Sequence, residues 1–360
     1  MRASRRGFLA GLLASSLTPQ LTWADVGAPR FLAAAKTPDG AFRLFGLAQN
    51  GHVLFDLPLP GRGHAAAAHP TRPEAVAFAR RPGTFAQVIN CATGAITATL
   101  SSPKGRHFTG HGAFDLAGDL LLTPENDYEN GAGRVAIWDR RRGYRRVGDL
   151  PTGGIGPHEM LRLPVGLDGE ERFVIANGGI DTHPESGRSP LNLPTMRANL
   201  AIMDLNGGLE VVELDSALRL NSIRHLAVRP DGLLAFAMQW QGADGSNPPL
   251  LGLIRQGEAP RLVQAPAPLH AGMKNYAGSV AFSGDGRQVA ITSPRGNAVQ
   301  LFDAVTGAFL RQVEEADVCG LAETEGGFVL TSGKGVIRYI GAEGAPVRHD
   351  LAFDNHLIAV

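Results

Sequence analysis

Seven short stretches that begin alike constrain this chain more than any other feature: Gly63-His64-Ala65, Gly110-His111-Gly112, Pro157-His158-Glu159, Arg224-His225-Leu226, Gly278-Ser279-Val280, Val318-Cys319-Gly320 and Asn355-His356-Leu357. Five of them carry histidine at the same register, in a chain with only 11 histidines. Three align without a gap as far as a turn: His225 to Gly232, Ser279 to Gly286 and His111 to Gly118. A position that recurs in this way marks a repeat architecture, and a repeat decides the fold before composition does.

The spacings between successive key positions are 47, 47, 67, 54, 40 and 37 residues. Each unit reads as four strands, with a Gly-containing hairpin between the third and fourth, as at Asn90 to Gly94, Met203 to Gly207 and Phe302 to Gly307. Glycine supplies the positive φ such hairpins need. With 46 glycines, 24 prolines and 19% charged residues, the chain favours tight turns over long helices. The expectation is an all-β protein, a seven-bladed β-propeller running from 25 to 360 as one domain. The ends support closure, because the chain stops after one innermost strand at His356 to Val360 and starts with three strands lacking one. The last blade is therefore expected to join N-terminal strands to the C-terminal strand, which removes the exposed edges a ring would otherwise leave.

The first residues have the shape of an export signal. Arg5-Arg6 precedes Phe8-Leu9 and the short apolar run Ala10 to Leu17, and Thr22-Trp23-Ala24 ends on a small residue. This is a twin-arginine signal over residues 1–24, with cleavage expected after Ala24 and a periplasmic destination. The apolar run is too short to span a bilayer. Removing Arg2, Arg5 and Arg6 leaves 31 basic against 34 acidic residues, a balance that gives no reason to expect nucleic acid. The mature chain is expected to be a monomer. Cys91 and Cys319 fall at different strand positions of separate units, so no disulfide is expected, and Cys91 is given no role.

In a propeller the key positions converge on the axis. His64, His111, His158, His225 and His356, with Cys319 and Ser279, would then ring one centre, and imidazole with thiolate suits a late first-row transition metal. The six histidine and cysteine side chains are the candidate ligands, three or four of them serving one ion. Two other uses remain: a ring of hydrogen-bonded structural histidines like those of WD repeats, and a catalytic or anion-binding role. Long segments at Pro124 to Gly131, Asn177 to Asn199 and Gln239 to Pro249 are expected to crowd the mouth, facing Arg80, Arg81 and Arg295. Glu125 and Asp127 are candidates to orient imidazoles, His183 to swing over the hub, and Arg188, Arg224 and Arg295 to hold an anionic chelate or substrate.

These stretches, with Glu125-Asn126-Asp127, Asn177-Gly178-Gly179-Ile180, Thr182-His183-Pro184, Leu191-Asn192-Leu193, Ser222 to Ala227, Tyr276 to Ser279 and Ser293 to Asn297, resemble one family over nearly the whole mature chain. It is the twin-arginine-exported domain of unknown function family 1513. The resemblance implies a place beside imelysin-type periplasmic iron-uptake proteins, which are the expected partners, and it supplies no catalytic residues. The resulting expectation is a periplasmic protein that binds a transition metal, iron first and copper second with zinc allowed, and takes part in iron acquisition. One alternative is a metal-dependent oxidoreductase or hydrolase using the same hub, with Glu125, Asp127 or His183 as acid or base. Another is a metal-free platform for protein interactions.

Overall fold

The computed structural model describes residues 20–360 except 82, 167, 188, 342 and 343. Most of the expected signal segment, and Arg188, lie outside the described residues. Seven antiparallel sheets stand around a common axis, and each takes its innermost strand from one of the repeated stretches. These strands are Gly63–Ala68, Ala113–Phe114, Pro157–Arg162, Asn221–Val228, Ser279–Phe282, Val318–Thr324 and Ala352–Ala359. The chain is the expected seven-bladed β-propeller. Its closing blade has the strand order Ala352–Ala359, Phe31–Lys36, Phe42–Leu47, Val53–Leu59, so the C-terminal strand lies innermost on three N-terminal ones.

Burial explains why the blades stay together. The described residues form seven apolar clusters, each straddling one pair of neighbouring blades. Phe78, Phe108 and Trp138 lock the first blade to the second, and Phe236 with Val174 and Ile202 locks the third to the fourth. The closing blade is gripped on both sides, by Phe31 and Phe45 toward the sixth blade and by Leu32 and Leu44 toward the first. Alternate residues of one strand thus serve opposite neighbours, as the two-residue period of a strand requires. Fully burying one such phenylalanine or leucine is worth roughly 1.5–3 kcal/mol, so every interface holds several.

Two local features differ from expectation. Pro124 to Asp127 does not loop out over the mouth; it completes the strand Leu120–Asp127, and the turn comes only at Tyr128. Between the fourth and fifth blades a short helix, Ala267–Gly272, fills the gap, with His270 Nε2 2.8 Å from the Pro248 carbonyl. At the N-terminal end of the described chain, a 3-10 helix Trp23–Val26 lies against the closing and first blades, and the Trp23 indole donates to the His69 carbonyl at 2.8 Å. No helix among the described residues is long and apolar enough to cross a membrane.

Candidate metal centre

The innermost strands do not run smoothly past the key positions. Pairing with the second strand slips between Gly63 and Ala66, Pro157 and Met160, Ile223 and His225, and Val318 and Leu321. In the closing blade it slips opposite Ala33 to Ala35, where Asp354 and His356 lie, and in the second blade the inner strand breaks altogether between Phe108 and Ala113. Only the strand beginning at Ser279, with neither histidine nor cysteine at the key position, pairs without a slip. Bulges re-aim side chains, and here they free the key residues from the blade face and bring the five histidines together. Gly110 shows how tight the turn is: its φ is +101°, and a Cβ there would stand 2.4 Å from His64 Cδ2. A side chain at 110 would displace the imidazole.

Five imidazoles consequently share one centre. Ring centroids lie 4.5 Å apart for His64 and His356, 4.6 Å for His111 and His356, and 4.9 Å for His111 and His158. His225 closes the set at 5.0 Å from His158 and 4.9 Å from His356. Three groups of donor atoms come within 4.8 Å of one another: His64, His111 and His356; His111, His158 and His225; and Glu159, His225 and His356. Such spacing suits ligands about 2 Å from one ion.

Electrostatics keeps these rings neutral. Burial pushes the His111 and His225 imidazoles down to about 3, and it drives His158 and His356 well below the ordinary histidine value and lowers His64. Neighbouring imidazoles and the arginines at the mouth add to the effect, because one proton in so small a space repels the next. Neutral imidazole is the ligand form. His111 Nε2, His225 Nδ1 and His356 Nε2 are moreover buried without a hydrogen-bond partner. Buried polar atoms are ordinarily satisfied, and a cation in one of the three donor groups would offer such a nitrogen a partner. The residues present therefore fit a metal ion.

Two carboxylates attend the ring. Glu159 Oε1 lies 3.6 Å from His111 Nδ1, and its Oε2 lies 3.3 Å from His225 Nδ1 and accepts from the Leu226 amide at 2.9 Å. Burial raises the Glu159 carboxyl above its usual range. Asp354 takes Arg62 and Arg80 at 2.5 and 2.6 Å and sits 3.9 Å from His64 Nδ1. Burial works to raise Asp354, but His64 and Arg80 beside it outweigh that and hold it well below the carboxylate range.

Several expected participants are placed elsewhere. Glu125 and Asp127, expected beside imidazoles, belong to an ion-pair network within the second blade. Glu125 is fully buried, held by Arg146 at 2.7 and 3.0 Å and by the Ser102 hydroxyl at 2.9 Å, and Asp127 accepts from Arg106 at 3.2 Å. Strand pairing of Pro124 to Asp127 fixes them there, away from the mouth. His183 caps the 3-10 helix Pro184–Ser186 and packs edge-on to Tyr128 at 5.0 Å, so it does not reach over the hub. Cys319 donates its thiol to the Asp317 carbonyl at 3.0 Å, and burial pushes it up to about 12. Its sulfur is not among the clustered donors, which leaves nitrogen and oxygen as the donor set.

Above the ring, the mouth opens as a cavity of about 280 Å³. His64, His158 and His225 form part of its floor, and Arg80, Arg81, Arg224 and Arg295 line it with Asn126, Gln239, Gln241 and Tyr276. No carboxylate lines it among the described residues. His107, which the repeat pattern leaves off register, also lines the cavity, stacked on Tyr128 with Arg81 3.3 Å from its Nε2. Glu159, Asp354 and His107 are the residues that sequence reasoning missed. Glu159 follows His158 directly and Asp354 lies two residues before His356, and that nearness in sequence was the available signal.

Comparison with known proteins places this geometry. The sequence pattern of a family described as "Protein of unknown function (DUF1513)" matches residues 57–360. No curated protein matches. Among solved structures, a chain of Kuenenia stuttgartiensis hydrazine synthase is similar with a TM-score of 0.62 at 12% identity, over 89% of this chain and 97% of that one. At that identity the likeness concerns the fold alone.

Proposed function

The chain belongs to this family of unknown function, and from its own residues we propose that it binds a late first-row transition metal in the hub of the propeller. The ligands are drawn from His64, His111, His158, His225 and His356, with Glu159 as either a ligand or the group that orients His111 and His225. The observation that carries the reading is the convergence of five neutral imidazoles from five blades, three of them with an unsatisfied buried nitrogen. Imidazole with one carboxylate suits iron, copper, zinc and nickel. Iron is placed first and copper second because the family resemblance associates such chains with imelysin-type proteins. Export to the periplasm and a part in iron acquisition belong to the same proposal.

Catalysis at the hub has less support, since Glu125, Asp127 and His183 do not reach it. The test is elemental analysis of protein purified from an exporting host without chelator, beside His111→Ala and His225→Ala. About one ion per chain is expected, falling at least tenfold in both variants while circular dichroism stays that of a folded propeller. Metal content unchanged in both variants refutes the hub.

A further inference from the structure

The mouth of the propeller has a chemistry of its own, independent of whether the hub holds an ion. Four guanidinium groups line a cavity of about 280 Å³ that no described carboxylate lines. Arg80 is paired with Asp354 at 2.6 Å. Arg81 donates to the Thr182 hydroxyl at 3.0 Å. Arg224 and Arg295 have no acid partner among the described residues. Arg295 lies over the Tyr276 ring, its Cζ 4.4 Å from the centroid. Arg224 is sunk deeper: its Nε is buried without a hydrogen-bond partner, and burial, with the Arg81 charge second, lowers it to about 10.

Arg224 is only partly exposed and its Nε has no partner, so an arriving counter-charge would relieve the desolvation of its guanidinium. Gly178 leaves space where a Cβ would stand 3.3 Å from Arg224 Cζ. The remaining lining groups suit the oxygens of an anion. Gln239 and Gln241 each give one amide N–H to a backbone carbonyl, of Ala277 and of Gln239, which leaves each a second donor, and guanidinium forks match carboxylates in paired fashion. A cavity of about 280 Å³ has room for a compact organic anion.

We propose that the mouth is a binding site for a small anion with two or more carboxylate groups, held by Arg224 and Arg295 with Arg81 beside them. His64, His158 and His225 lie on the cavity floor, so such an anion rests directly against the hub.

Isothermal titration calorimetry on the full folded protein tests this, with citrate, sulfate and the uncharged polyol glycerol as probes, first after removal of metal and then after loading with iron. Citrate is expected to bind the metal-free protein saturably, to weaken as salt rises, and to weaken tenfold or more in Arg224→Gln and in Arg295→Gln. Arg295→Gln touches no buried pair and guards against a folding defect in the first variant. Glycerol should not bind. Sulfate binding without citrate would reduce the site to a single-anion site and overturn the polycarboxylate assignment. Citrate binding that needs iron and ignores both arginine variants would overturn the inference altogether, as would the absence of saturable binding by either anion. Loss of metal in the hub variants with citrate affinity intact would separate this site from the proposed metal centre.

Discussion

Acid should unfold the metal-free protein earlier than its composition suggests, and the hub should be the cause. His111 and His225 drop from the ordinary value of 6.5 to about 3 on folding. A histidine whose folded value is depressed binds its proton in the unfolded chain first, so stability is full above pH 6.5 and falls as pH drops from there toward 3. Between pH 7.5 and pH 5, each of the two groups costs about 2 kcal/mol, and the pair about 4 kcal/mol. His64, His158 and His356 are lowered too and add to the loss. Glu159 works in the opposite sense, because its raised folded value lets the native state take a proton first and gain stability as pH falls. One carboxyl against five imidazoles leaves the histidines in control. Set against a total of about 5–15 kcal/mol, the loss is large. Urea unfolding of metal-stripped protein at pH 7.5 and pH 5.0 measures it, beside the double variant His111→Gln/His225→Gln, in which the difference should shrink by about 4 kcal/mol. Equal differences in the two proteins would show that the hub imidazoles do not depend on burial in the neutral form, and the electrostatic account would fail.

Arg146→Ala should destabilise the fold by about 3–5 kcal/mol, since it strips two charged hydrogen bonds from the fully buried Glu125, and it should leave the metal content unchanged; urea unfolding and elemental analysis check both halves. Gly110→Ala should do the reverse, costing about 1–3 kcal/mol through its positive φ and lowering metal affinity at least tenfold as the new methyl displaces His64, read by the same two measurements.

The propeller was legible because repetition survives where sequence identity between blades does not. Gly-His at 63 and 110, Pro-His at 157 and Arg-His at 224 share little except a place at the head of an inner strand, yet their spacing counts the blades. Closure was legible from the ends, where a lone strand after Asn355 needed the three that begin at Phe31. The positions of Glu125 and Asp127 were misread for a physical reason. Pro124 and the charged residues after it have the composition of a loop, but arginines at 106 and 146 neutralise Glu125 and Asp127 inside the blade and allow the strand to continue through them. Those partners come from other strands of the same sheet, and no local pattern marks the pairing.

The carboxylates that do attend the ring follow from the same slips in pairing that aim the histidines. In a regular strand, consecutive side chains point to opposite faces, so His158 and Glu159 could not both meet His225. The slip between Pro157 and Met160 breaks that alternation and brings both to the axis, with His158 5.0 Å from His225 between ring centroids and Glu159 3.3 Å from its Nδ1. The same reasoning covers Asp354 and His356 across the slip opposite Ala33 to Ala35. The blade without a slip contributes Ser279 and no donor to the cluster. Cys319 marks the limit of this correlation, because its strand slips as well and yet its thiol turns to the Asp317 carbonyl. A slip therefore frees the key residue from the blade face, and the neighbours it then meets decide whether it joins the ring. For five histidines those neighbours are each other, for the cysteine a backbone oxygen.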